Sequence, residues 1–502
     1  MKLSVFLMII TIFTKIFGLG RWMLLSYFYG TGPVADAFLI AFFIPSLMLS
    51  GITLGIGTGF IPVYNEIRLK AGSEKADDFT NNLVNIVGIA AFLVSIVGVI
   101  FTEPLVKLFA SGFEGIVLEE AIFFTKTLLM TMMFSAIAGV YKGLLQIKSY
   151  FVITVSHTII LNLTIMFSIY LSSIYGYKIL GVGAAVGMVI QYLIFLPALK
   201  ASGYKYNFSF NVKDKYIKKV ILMTLPILAG VLVNEINLVI DRNIASSISE
   251  GAISALNYSS DIQDFVTGVI IVSIITVTFP KMSELAAKKD MANLTKVMGD
   301  SISNMLFLVI PATIGIMVFS KPIIRLLFGR GVFDEAAVLM TAKTLFYYSI
   351  GFIGIGIREL ISRVFYSVNN TKTPVYNSII MVFINIVLNI ILSKTMGISG
   401  LALATSIANT IGAVLMHISL RKHFGKLDLK DKWTSIGKSV IASIIMAVIS
   451  LNLFNVLTTG LSSNMSLLIT IFAAIAIYML LGMLLKIEDA LTFKKFILSK
   501  IK

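Results

Sequence analysis

Cysteine is absent from all 502 residues. That excludes disulfides, thiolate metal sites, iron–sulfur clusters and cysteine nucleophiles. Histidine is nearly as scarce, at 3 residues, which leaves little for imidazole metal chemistry. Charge is short as well: Asp, Glu, Lys and Arg make up 13% of the chain, against about 25% in soluble domains. A chain of this length would need far more polar surface to coat water-facing domains. Neither an HExxH zinc helix nor a GxxxxGK[ST] phosphate loop occurs, so the common metalloprotease and nucleotide-binding signatures are missing. The longest connection, near Ala201–Lys215, is too small for a soluble catalytic domain. That disfavours a membrane glycosyltransferase or polymerase.

What is present is apolar. Hydrophobic residues reach 57% and mean hydropathy is +0.94. The solvent such a chain suits is lipid, where a helix of roughly 20 apolar residues spans the hydrocarbon. Glycine (37) with only 10 prolines fits closely packed membrane helices. Lys2 precedes an apolar run as in a signal peptide. Met1–Gly30 nevertheless stays apolar too long, lacks a small-residue cleavage site and contains Lys15 and Arg21, so it reads as the first spanning helix. A sliding window gives fourteen spans: 3–29, 34–64, 79–101, 118–146, 150–172, 179–199, 216–244, 250–279, 300–320, 336–364, 374–393, 398–419, 434–455 and 464–486. The expected fold class is an all-α polytopic membrane protein.

The net charge of +16 has an address. Basic residues at the N-terminus and at the ends of even-numbered helices number 28, from Lys2 through Lys502. The opposite side has 6, namely Lys107, Lys178, Lys321, Arg325, Arg330 and Lys394. The positive-inside rule then puts both termini in the cytoplasm. The basic excess is topological and favours anionic lipid headgroups. Nucleic acid is not an expected partner, because no folded binding module is present.

An internal repeat organises the spans. Gly32-Pro33-Val34-Ala35 corresponds to Gly251-Ala252-Ile253-Ser254, and Pro62-Val63-Tyr64-Asn65-Glu66 to Pro280-Lys281-Met282-Ser283-Glu284. Glu103-Pro104-Leu105 corresponds to Lys321-Pro322-Ile323, and Gly181-Val182-Gly183-Ala184-Ala185 to Gly400-Leu401-Ala402-Leu403-Ala404. The offset stays at 218 or 219 residues throughout. The chain divides into two parallel six-helix lobes, 1–205 and 206–424, with two further transmembrane helices and a tail in 425–502. Transporters built on parallel repeats place substrate between the lobes and rock them to alternate access.

Ionisable groups inside spans cost about 2.5–3.5 kcal/mol each on insertion scales, so each suggests a pathway or a partner. Lys15 and Arg21 on the first helix, with Asp36 on the second, form a candidate cationic site for an anion such as phosphate, which Arg can grip bidentately. Snorkelling to an interface is the other reading. The run Gly51-Ile52-Thr53-Leu54-Gly55-Ile56-Gly57-Thr58-Gly59 marks either close packing or a hinge. Asn385 and Asn389 share a face at i and i+4. With Thr405 and Asp241 they offer hard oxygens to a small cation such as Na⁺, or else hydrogen-bond between helices. Asp77-Asp78 reads as a solvated face, and the lone His157 as a packed or hydrogen-bonded core residue.

Gly18-Leu19-Gly20-Arg21, Ala35-Asp36-Ala37-Phe38 and Ile44-Pro45 resemble the first two helices of the MurJ (MviN) flippase family, within the multidrug/oligosaccharidyl-lipid/polysaccharide exporter superfamily. Ser254-Ala255-Leu256-Asn257-Tyr258, Phe328-Gly329-Arg330-Gly331-Val332-Phe333-Asp334, Ser362-Arg363-Val364-Phe365-Tyr366 and Asn370-Thr371-Lys372-Thr373-Pro374 extend the resemblance over nearly the whole chain. It implies movement of lipid II, an undecaprenyl-pyrophosphate-linked glycan, across the bacterial cytoplasmic membrane by a monomeric multi-pass chain. It also implies substrate-binding roles for Lys15, Arg21 and Asp36, and a Na⁺ site at Asp241, Asn385, Asn389 and Thr405. The chain departs from the family pattern at Trp22, where Asp commonly follows the Arg. It departs again at Leu49-Ser50 and Ser259-Ser260-Asp261, where arginines are expected. Lys343, Arg358 and Arg242 are candidate replacements. The alternatives left open are another undecaprenyl-pyrophosphate-linked oligosaccharide or a cation-coupled export of small molecules.

Overall fold

The structure, a computed structural model, describes residues 2–425 and 430–491, and of residues 2–5, 8, 226–227, 229–230, 234 and 430–431 the backbone alone. Lys426, Lys494, Lys495, Lys500 and Lys502, on which part of the charge asymmetry rests, lie outside the described residues, as do the side chains of Lys2 and Lys430. Helices and short connections account for the described residues, with no strand among them. In order, α1 is Lys2–Tyr29, and α2 is Pro33–Gly55 continued through a π-helical turn Ile56–Phe60 into Ile61–Ala71. Next come α3 (Ser73–Ile100), a short helix Thr102–Phe109, and α4, made of Gly115–Leu129 and Met132–Ile147. α5 is Phe151–Tyr175, α6 Lys178–Leu193 with a short helix Phe195–Ala201 after it, α7 Lys215–Ser246, α8 Ala252–Ala287 and α9 Met291–Leu327. α10 consists of Glu335–Ile350 and Phe352–Ser367, followed by α11 (Lys372–Met396), α12 (Ile398–Phe424), α13 (Lys430–Leu457) and α14 (Ser463–Leu484).

Among the described residues, eleven single helices and two bent pairs are long and apolar enough to cross a membrane. The 32-residue α7 takes the remaining place in the order of fourteen. The chain is a multi-pass membrane protein. The two continuous spans expected at 118–146 and 336–364 are instead broken, by 45° in α4 and 43° in α10. Each break has a hydrogen-bonding cause. At the first, the Thr131 hydroxyl and amide both donate to Leu128 O, at 2.9 and 3.2 Å, pulling the chain off the i−4 ladder. At the second, the Ser406 hydroxyl on α12 donates to Tyr347 O and Tyr348 O at 2.6 and 3.2 Å, capturing carbonyls from outside the helix.

The repeat also reaches the backbone dihedrals. Phe101 has φ −100° and ψ 31°, and Phe319, inside α9, has φ −104° and ψ 17°. Each stands three residues before a proline, Pro104 or Pro322. Proline has no N–H to give the i−4 carbonyl and its ring clashes there, so both repeats kink at the same place.

Two compact units form: residues 1–254 with 330–334, and residues 255–329 with 335–502. The first therefore extends past the repeat boundary at 205/206 to include α7. One of its cores gathers Phe60, Tyr64, Phe79, Tyr141, Leu144 and Phe195. The core of the second unit is built on Met298, Met305, Phe352, Leu360, Phe365 and Met416. There α13 and α14 add Met446 and Tyr478 against Phe307, with the Tyr478 hydroxyl donating to Phe307 O at 2.7 Å.

In the first unit, the connection from α6 to α7 is sewn to the start of α3. Asn82 Nδ2 donates to Asn211 O at 2.9 Å, while Asn82 Oδ1 accepts from Asn211 N at 2.7 Å. Asn85 donates to Ser209 O at 2.8 Å and accepts from the Tyr206 hydroxyl at 2.6 Å. Asn81 donates to Lys205 O and accepts from the Tyr204 hydroxyl. Three buried carboxamides thus satisfy a stretch of chain that has no ladder of its own.

Candidate functional site

α1 exposes Lys15 and buries Arg21. The Arg21 guanidinium lies 4.0 Å from the Trp22 ring centroid and 4.9 Å from that of Phe42 on α2. Trp22 and Phe42 meet edge to face, with centroids 6.5 Å apart. The guanidinium is thus held against π-faces inside the span, an arrangement Arg supports through its planar, weakly hydrated head. Trp22, the residue that departs from the family pattern, is one of the two surfaces that position it.

Asp36 occupies the first turn of α2, 3% exposed. Its carboxylate accepts from Gly251 N and Ser254 N, each at 2.8 Å, and also from the Ser254 hydroxyl. These donors are the opening of α8, where backbone N–H groups have no intrahelical partner and a negative charge complements the helix dipole. Asp36 therefore caps α8 across 215 residues of sequence. The sequence reading pairs Asp36 with Arg21. The repeat alignment aligns Gly251–Ser254 with Gly32–Ala35 but cannot show that the carboxylate reaches them.

The strap 330–334 packs beside this cap in the same unit. Val332 N donates to Tyr27 O at 2.9 Å, and Phe333 is buried. Gly331 has φ +65°, and a Cβ there would stand 2.2 Å from Tyr27 O, so glycine at this position is required by both conformation and space. On α7, the Arg242 guanidinium covers the Phe43 ring at 3.8 Å.

Asp241 is buried in the first unit, with Asn237 Nδ2 at 3.5 Å from its Oδ2. In the second unit, Asn389 Nδ2 donates to Asn385 Oδ1 at 2.7 Å, and Asn385 Nδ2 to Thr405 Oγ1 at 3.2 Å. Asn385 and Asn389 are buried. Their oxygens are of the hard type that suits Na⁺. In this arrangement the three side chains cross-link α11 to α12. No group of three or more His, Cys, Asp or Glu able to hold a metal occurs among the described residues. Of the candidate replacement cations, Arg358 pairs with Glu359 at 3.1 Å. Lys343 is exposed and lines a pocket with Lys321 and Tyr347.

One cavity with several polar side chains on its walls goes unnoticed in the sequence. Enclosing about 370 Å³, it lies within the first unit among α2, α4, α5 and α6. Its walls bring Lys142 and Gln146 together with His157, Gln191, Ser46 and Thr53. Lys142 reads as one more cytoplasmic-side charge and His157 as an isolated core residue. Only the spacing of Lys142 and Gln146, and of Met188 with Gln191, offers a hint that these helices share a polar interior.

Fourteen helical spans, an arginine stacked inside the first of them and an acidic cap at the head of the eighth belong to a membrane transporter, not an enzyme. Residues 25–473 match the family described as lipid II flippase MurJ, and the chain belongs to that family. A probable lipid II flippase MurJ of Thermotoga maritima is 28% identical over 485 residues, covering 95% of both chains. Another, from Vibrio cholerae, is 28% identical and covers 98% of both. Among solved structures, "Lipid II flippase MurJ, inward closed conformation" superposes with a TM-score of 0.81 at 26% identity, over 98% of this chain and all of that one. An inward-facing multidrug resistance MATE family transporter of the MOP superfamily shares the fold, with a TM-score of 0.71 at 15% identity over 83% of this chain.

Proposed function

We propose that the chain carries lipid II from the cytoplasmic to the outer leaflet of the bacterial cytoplasmic membrane by alternating access. The observation that carries this reading is the extent of the likeness. The MurJ structure spans 98% of the chain, and the drug-exporter fold only 83%. In this mechanism the repeats 1–205 and 206–424 act as lobes, with 425–502 as an added element. The headgroup passes between them while the prenyl tail stays in lipid. Arg21 supplies a fixed guanidinium to the pyrophosphate, and Lys15 a second, mobile cation. Asp36 serves as a clasp: its bonds to Gly251 and Ser254 hold the first turns of α2 and α8 together, and an opening at that end must break them.

A Na⁺ bound by Asp241, Asn385, Asn389 and Thr405 would bias one state over the other through differential affinity. Asp241 brings the formal charge, and the ion would replace the present Asn389–Asn385–Thr405 chain. Both termini face the cytoplasm, the basic loops there meet anionic headgroups, and one copy suffices for transport.

Complementation of a strain depleted of its lipid II flippase tests the reading. Wild type rescues growth, and Arg21→Ala does not. A well-expressed wild type that fails to rescue overturns lipid II as the substrate and points to another lipid-linked oligosaccharide. Altered drug accumulation in the same cells would instead indicate a small-molecule exporter.

A further inference from the structure

The cavity inside the first unit brings an ammonium to a buried imidazole. Lys142, half-buried on the second segment of α4, belongs to none of the ion pairs formed among the described residues. His157 is 7% exposed, and its Nδ1 is buried with no hydrogen-bond partner among them. One face of its ring packs on Phe195, with centroids 5.3 Å apart. No carboxylate appears on the walls, whereas Gln146 and Gln191 add amide N–H donors. An ammonium beside an unsatisfied imidazole in a span is costly to maintain unless a ligand completes the site.

The walls also carry small residues. Ala138 and Gly139 line the space from α4, with Gly139 admitting the close approach of Ile56, whose Cδ1 would stand 3.1 Å from a Cβ there. On α2, the π-helical turn brings Ile56 and Gly57 to it, and a Cβ on Gly57 would meet nothing within 4 Å. Such π-turns recur at functional sites. Phe42 closes one end, and its ring is also one of the two that hold Arg21.

We propose that this cavity is an anion site that takes a phosphoryl group, with Lys142 as the charge partner and His157, Gln146 and Gln191 as hydrogen-bond donors. At about 370 Å³ it admits a phosphate or diphosphate but not a disaccharide-peptide headgroup. Two sources carry that chemistry: the diphosphate of a lipid-linked substrate and the headgroup of an anionic phospholipid. Choosing the first rests on the lipid II reading; the site itself does not.

The test uses the full-length protein in nanodiscs of neutral lipid, with inorganic pyrophosphate as the probe. Calorimetry should give saturable binding to wild type, retained in Lys142→Arg. Lys142→Gln and His157→Gln should each weaken it about tenfold, equivalent to about 1.4 kcal/mol. A measurement that needs no variant is acetylation of lysines read by mass spectrometry. Pyrophosphate should shield Lys142 and leave the exposed Lys70 reactive. Equal affinities in all four proteins, or no shielding of Lys142, overturn the site whatever the outcome of complementation. Nanodiscs containing undecaprenyl pyrophosphate or phosphatidylglycerol then separate the sources, by which lipid shields Lys142 at the lower mole fraction.

Discussion

At the scale of single residues, Arg21 and Asp36 differ in what fixes them. Arg21 is held by planes, so charge alone is a poor substitute. A cation–π contact contributes about 0.5–2 kcal/mol, and Arg21→Lys gives up the planar stack on Trp22 and Phe42. Partial rescue in complementation is expected for Arg21→Lys, against none for Arg21→Ala. Asp36 is fixed by donors. Bonds to a charged acceptor contribute about 1.5–3 kcal/mol each, so Asp36→Ala, which frees the head of α8, should lower the thermal midpoint clearly more than Asp36→Asn. Equal midpoints for the two variants would remove the cap from the account. Both positions are legible in the sequence as charges that lipid would not tolerate. Their partners are not, because an ionisable residue in a span announces a cost without naming what offsets it. Lys142 and His157 were harder still. They lie on different helices, each with an ordinary explanation of its own.

Among elements, the glycine-rich end of α2 resolves into two kinds of position. A Cβ at Gly57 would meet open space, whereas one at Gly59 would stand 2.9 Å from Val220 Cγ1 and 3.0 Å from Thr224 Oγ1 on α7. Sequence alone leaves packing and hinge open for this run. The structure assigns Gly59 to packing and puts Gly57 on a cavity wall. Overpacking typically costs about 1–3 kcal/mol. Gly59→Val should therefore lower the midpoint of purified protein, and Gly57→Ala should leave it unchanged. The span order was readable because hydropathy reports burial in lipid directly. The bends in α4 and α10 were not, since neither break contains a proline. One comes from a threonine competing for its own helix's carbonyl, the other from a serine on a neighbouring helix.

For the whole molecule, two dependences on solution conditions follow. If Na⁺ couples to transport, Asp241→Asn should abolish the preference for Na⁺ over an inert cation in liposome assays while leaving expression intact. A wild type indifferent to Na⁺ would leave the Asn389–Asn385–Thr405 chain as an interhelical cross-link only. The second dependence is on pH. Asp489, just past α14, has its carboxyl raised above the ordinary aspartate value by burial, with the Ser303 hydroxyl donating to it at 2.8 Å. The folded chain thus holds this proton more tightly than the unfolded one. Its contribution is complete below the ordinary aspartate range and is lost as pH rises through the raised value. Hydrogen exchange in α14, corrected for intrinsic rate, should quicken with pH in wild type and flatten in Asp489→Asn.

The sewn connection between α6 and α7 bears on where the polypeptide can be cut. Lys205 and Lys213 make this longest polar stretch the obvious target for trypsin, and the repeat boundary the obvious place to divide the gene. Yet a protease needs several residues of free, extended chain, and Asn81, Asn82 and Asn85 hold this segment by its carbonyls and amides. Trypsin should spare it in membrane vesicles and cut it once Asn82→Ala and Asn85→Ala are combined. Two separately translated halves would meet without that seam. The repeats are the visible joint of the molecule, but they are a poor place to break it.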